Sequence, residues 1–99
     1  MYKQCVVIKA KIPTHKMSEA QKVNQEALKE YPRDAVGGTI LAYVGKDTLE
    51  GMETELIIEP AEGKLEAEIQ HAVARMEMFN GIEGLEHTVE AYALLTKPV

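Results

Sequence analysis

Residues 2–12, YKQCVVIKAKI, place Val6, Ile8, Ala10 and Ile12 on one parity and Lys3, Cys5, Val7, Lys9 and Lys11 on the other. That alternation predicts a half-buried strand, which Pro13 ends. Ser18 and Gln21 have the S-x-x-Q spacing of a capping box, which ties down free amide donors and predicts a helix start there. Ala20, Val23, Ala27, Leu28 and Tyr31 then recur at helical spacing, with Glu19, Lys22, Glu26 and Lys29 on the remaining surface, until Pro32. After Gly37-Gly38 the run Thr39-Ile40-Leu41-Ala42-Tyr43-Val44 reads as a second strand, bounded by Gly45. Turn residues over 45–51 lead into METELIIEP, where Met52, Thr54, Leu56 and Ile58 oppose Glu53, Glu55 and Glu59, so a hairpin is the economical reading. From about residue 64 the positions Leu65, Ile69, Ala72, Val73, Met76 and Phe79 form one helical stripe, and Asn80-Gly81 offers a left-handed stop. Residues 87–97 close the pattern as a fourth strand, apolar on both faces, with Val89, Ala91, Ala93 and Leu95 on one parity and Tyr92 and Leu94 on the other.

The order is therefore β-α-β-β-α-β. Right-handed crossovers in each β-α-β half give a four-stranded antiparallel sheet of order 4-1-3-2 with both helices on one face, the ferredoxin-like α+β fold. In that arrangement strands one and three are neighbours, and the outward residues Lys3, Lys9 and Lys11 of one face Glu53, Glu55 and Glu59 of the other. Opposite charges across neighbouring strands favour that pairing. The face away from the helices would show Cys5, Val7 and Ile57 among those charges, with Tyr92 and Leu94 from strand four or the other parity there. Such an apolar strip on an open sheet suits a second sheet, so a homodimer packed face to face is expected.

Composition narrows the picture. Ninety-nine residues, 45% of them hydrophobic and 27% charged, fit one folded domain over 1–99, and a core this small would gain from a second subunit. The net charge of −5, with only two arginines, argues against nucleic acid, whose phosphates require clustered cations. A single cysteine, Cys5, allows no internal disulfide and fits a reducing cytoplasm. Neither a cleavable leader nor an apolar run long enough to span a membrane is expected.

The element order, the strand led by Gly37-Gly38, the strand over 52–60 and the acidic helix over 64–78 together resemble the dimeric α/β-barrel superfamily, in which two such sheets close a barrel. The resemblance covers about 90 residues and is architectural. It implies a small protein working as a dimer, in a superfamily that includes cofactor-independent monooxygenases, isomerases and haem-linked enzymes. No subfamily motif matches residue by residue and there is no tryptophan, so the resemblance implies no catalytic residue and no cofactor.

Some residues could still carry chemistry. If strands one and four are antiparallel neighbours, His15 and His87 come to the same end of the sheet, together with Lys46, Asp47 and Asn80. A histidine pair beside Glu83 or Glu86 could act as general acid and base. The ordinary reading is two solvated loop-edge residues, and without H-x-x-x-H or C-x-x-C no metal site is expected. His71 falls away from the stripe of its helix, and Cys5 suits a small buried hydrophobe better than a reactive thiol. Tyr43 and Tyr92, each an apolar ring with one hydroxyl, are candidates for lining a ligand pocket. Gly37-Gly38 precedes a strand and lacks a following Lys-Ser/Thr, so it is no phosphate loop. Two functions remain: a dimeric domain binding or transforming a small organic molecule, or a non-enzymatic interaction or regulatory domain that uses the open face for assembly.

Overall fold

The computed structural model describes residues 3–95. Strand β1 (Lys3–Pro13) passes through a 3-10 turn (Thr14–Lys16) into helix α1 (Met17–Glu30). A second 3-10 turn (Arg33–Ala35) leads to the hairpin of β2 (Thr39–Thr48) and β3 (Gly51–Glu59), followed by α2 (Leu65–Glu77) and β4 (Glu86–Leu94). The strands pair antiparallel in the order β2-β3-β1-β4, the ferredoxin-like arrangement expected from the element order. Val6 faces Ile58 on β3 and Ala91 on β4, and Ile8 faces Leu56 and Val89, which fixes the parity of the whole sheet.

The face bearing Val6, Ile8, Ala10, Leu56 and Ile58 packs against Ala20 and Ala27 of α1 and Ala72 and Met76 of α2, with Phe79 and Ile82 just beyond. Alanines at the contact let helix and sheet approach closely. The opposite face carries Lys3, Cys5, Val7 and Lys9, since side chains alternate along a strand. Cys5 and Val7 are buried there although they lie outside the main core. Long neighbours border them: Lys3 pairs with Glu59 at 3.4 Å, and Lys9 lies 3.7 Å from Glu90. Lys9 thus pairs with β4 rather than with its backbone partner Glu55 on β3.

Several local details differ from the sequence reading. The Ser18–Gln21 box does not cap α1, because the preceding 3-10 turn runs straight into the helix: Met17 N–H donates to Thr14 O, Lys16 is the cap, and Ser18 is already helical. The hairpin tip is Leu49–Glu50, beyond Lys46 and Asp47, since extending the ladder pairs more backbone groups. Thr48 Oγ1 stitches that turn, accepting from Gly51 N at 3.1 Å and donating to Gly51 O at 2.9 Å. Gly81 does not adopt a left-handed conformation. The chain leaves α2 through successive tight turns, Phe79 N to Met76 O and Ile82 N to Phe79 O, and the left-handed residue is Gly84. The fourth strand ends at Leu94, and the portion expected over 96–97 lies outside the described residues.

Candidate functional site

The helices pack chiefly over β1 and β4, so the β3 and β2 side of the helix-facing sheet surface is less covered. Between that surface and α1 lies a cavity of about 410 Å³, partly open to solvent. Its floor is apolar: Ile8, Ala10 and Ile12 from β1, with Met52 and Leu56 from β3. Met76 of α2 and Phe79 in the turn after it form part of the wall. The polar lining comes from Gln21, Asn24 and Gln25 of α1, Thr54 of β3, Tyr43 of edge strand β2, and Arg75 of α2. An apolar cleft of this size with a few convergent polar groups is the usual form of a small-molecule site.

Helical geometry explains the amides. Residues 17, 20, 21, 24 and 25 recur at three- and four-residue spacing, so one side of α1 turns Met17 and Ala20 together with three uncharged amides toward the cavity. The charged residues occupy the other side. Tyr43 stands opposite Leu56 on β3 and remains 68% exposed, because no helix covers the edge strand there.

Behind the cavity lies a charge cluster that the sequence reading missed. Glu68 is fully buried, and Arg33 holds it through Nη1 to Oε2 at 2.8 Å and Nη2 to Oε1 at 3.5 Å. Gly38 passes so close that a Cβ there would run into the Glu68 carboxylate and approach Ile58 at 3.0 Å. Arg75 is only 9% exposed, its Nε has no hydrogen-bond partner, and no carboxylate pairs with it among the described residues. Burial lowers its pKa first and the Arg33 charge lowers it further, while Tyr43 and Glu68 oppose the shift. One buried carboxylate thus stands against two guanidinium groups. A signal existed in the sequence: Glu68 and Arg75 fall within about 60° of Ala72 on the helical wheel, along one edge of the apolar stripe.

The four residues singled out from sequence occupy different places. Tyr43 lines the cavity. Tyr92 lies on the other face of the sheet, where Lys9 Nζ donates to its hydroxyl at 3.1 Å and that hydroxyl donates to Glu90 at 3.2 Å. His87 is on the helix side, with Nε2 2.7 Å from Asn80 Oδ1. His15 is exposed in the first 3-10 turn. The pairing of Lys11 with Glu86 puts both histidines toward the same end of the sheet, and no hydrogen bond joins them among the described residues. His71 sits 3.1 Å from Pro32 O and meets Tyr31 edge to face with ring centroids 6.0 Å apart, which pins the turn after α1. No cluster of three or more His, Cys, Asp or Glu able to hold a metal occurs among the described residues, nor is any helix there long and apolar enough to cross a membrane.

No family model and no curated protein matches the chain. Solved structures do. A Caulobacter crescentus protein ascribed to antibiotic biosynthesis monooxygenases superimposes with a TM-score of 0.61 at 15% identity, covering 96% of this chain and 92% of that one. A protein of unknown function from Nitrosomonas europaea gives 0.56 at 12% identity, over 99% and 95% of the two chains. A de novo designed protein gives the same TM-score, 0.56, at 14% identity over 97% and 99%. These likenesses show the ferredoxin-like fold. That a designed chain shares it underlines that function must be argued from the site.

Proposed function

We propose that this protein is a small dimeric α/β-barrel-like domain that binds or transforms a small organic molecule in the cavity between its sheet and α1. The observation that carries the proposal is the cavity itself, about 410 Å³ with an apolar floor and polar groups confined to α1, Thr54, Tyr43 and Arg75. Tyr43 belongs to the ligand in this reading, its ring closing the mouth. Tyr92 belongs to assembly: with Cys5, Val7, Ile57 and Leu94 it forms the apolar strip of the open face, bordered by the Lys3–Glu59 and Lys9–Glu90 pairs. Cross-strand ion pairs at the border and apolar residues at the centre are the anatomy of a sheet-on-sheet contact. A buried free thiol suits a reducing, cytoplasmic setting.

A thermal-shift screen of small aliphatic and aromatic compounds, followed by NMR titration of the hits, tests the ligand site. Hits should perturb Met52, Leu56, Tyr43 and the amides of Gln21 and Asn24, and Tyr43→Ala should weaken them. Perturbations confined to the open face, or no hits at all, would refute the cavity reading and leave the alternative, an interaction or regulatory domain using the open face alone. His15→Ala with His87→Ala tests the histidine pair. Neither histidine lines the cavity, so ligand affinity should persist in the double variant, and a loss of affinity with the fold intact would place the site at their end of the sheet instead.

A further inference from the structure

Resting on the reading of the cavity as a ligand site, the charge balance at its wall narrows the ligand's chemistry. Arg75 is nine-tenths buried and lines the cavity, with its Nε–H unsatisfied. The nearest buried anion, Glu68, is already engaged through both oxygens by Arg33. Nothing else among the described residues neutralises Arg75. A buried, unpaired guanidinium is costly to the fold, so such groups are ordinarily paired or solvated.

We infer that the cavity takes an amphipathic organic carboxylate, its acid group received by Arg75 and its apolar body lying on Ile8, Ile12, Met52 and Leu56. The two Nη groups of a guanidinium form a planar fork that gives a carboxylate two parallel hydrogen bonds, with the buried Arg75 Nε–H behind them. The ligand's single negative charge would bring the Arg33, Glu68 and Arg75 cluster to neutrality. Gln21, Asn24 and Gln25 supply amide donors along the same cavity. The floor opposite them offers no charge, so a second anionic group would lie there unpaired, which disfavours polyanions. The lowered pKa of Arg75, caused first by burial and then by Arg33, agrees with a cation lacking its counter-ion.

The test uses octanoate and its neutral counterpart octanamide on the whole protein, at a pH near neutrality where octanoate is ionised. Octanoate should bind at least about tenfold more tightly than octanamide, the value of a charge-assisted hydrogen bond. Arg75→Met should bring that ratio close to one while octanamide affinity changes little. Arg75→Lys, which keeps charge but loses the fork, should fall between. In wild-type protein the Arg75 Nε–H NMR resonance should move on adding octanoate and stay in place with octanamide, a readout that needs no variant. If both probes bind equally, or if the preference survives in Arg75→Met, the carboxylate inference is overturned and the cavity reading stands. If neither probe binds, the cavity reading falls with it.

Discussion

Glu68 and Arg75 lie two helical turns apart on α2, and their different fates set the residue-scale physics. Glu68 is fully buried but compensated, so removing its charge would strand Arg33 beside Arg75. Glu68→Gln should therefore destabilise the fold by about 3 kcal/mol in urea denaturation, whereas Glu68→Leu combined with Arg33→Met should recover most of that loss. A double variant as unstable as the single one would mean that the pair fixes the α2 position and is not merely a compensated charge. Cys5 offers a pH test. Burial, and secondarily the Glu59 charge, raise its thiol pKa. The unfolded thiol ionises first, so the contribution of Cys5 is fully present below the ordinary thiol range and is lost as pH rises through the raised folded value. Lys9, whose pKa is raised chiefly by its bond to Tyr92, acts in the same direction at higher pH. Stability measured from about pH 7 to about pH 9.5 should decline in wild type and decline less in Cys5→Ala, and parallel curves would count against the thiol as the source.

At the scale of elements, each helix has a job that its apolar stripe only half describes. Helix α1 meets the core mainly through Ala20 and Ala27, leaving its Gln and Asn side chains to the cavity. Had those positions been leucines, the space would have filled and no site would remain. Asn24→Leu is thus expected to abolish ligand-induced thermal shifts while keeping the fold, as checked by circular dichroism and the same screen. The entrance to β2 is equally constrained. Gly38 lies where any Cβ would meet Glu68, Ile58 and Arg33. Gly38→Ala should cost about 1–3 kcal/mol in urea denaturation, since both a close-packed contact and a buried ion pair must shift. A neutral substitution there would show that the loop yields more readily than its packing suggests.

For the whole molecule, the two faces of one sheet divide the work: the helix side holds the core and the cavity, and the open side holds Cys5, Val7, Tyr92 and Leu94 between ion pairs. Leu94→Glu would put a charge into the apolar strip of the proposed dimer, at its β4 edge. Light scattering on a sizing column should show wild type as a dimer and the variant with a larger monomer fraction at low concentration. A wild-type monomer would remove the barrel-like assembly. Periodicity by itself determined the element order, the inward parity of β1 and β3, and hence the sheet order, because these follow from local alternation and from the handedness of crossovers. Element ends were less legible. Whether Ser18 caps α1, or where the β2–β3 hairpin turns, depends on which competing backbone hydrogen bonds win, and several local solutions are nearly equal in energy. Of the candidate site, Tyr43 could be named from its residue type, but its distance from Tyr92 across the sheet required knowing strand parity and register together. Arg75, Glu68 and Arg33 come from two separate segments, and a charged residue at the edge of an apolar stripe reads the same whether it snorkels to water, finds a partner or faces a void. Only the tertiary packing decided that Glu68 found Arg33 and that Arg75 was left facing the cavity, because burial and pairing are properties of the space between elements and are not written into any one of them.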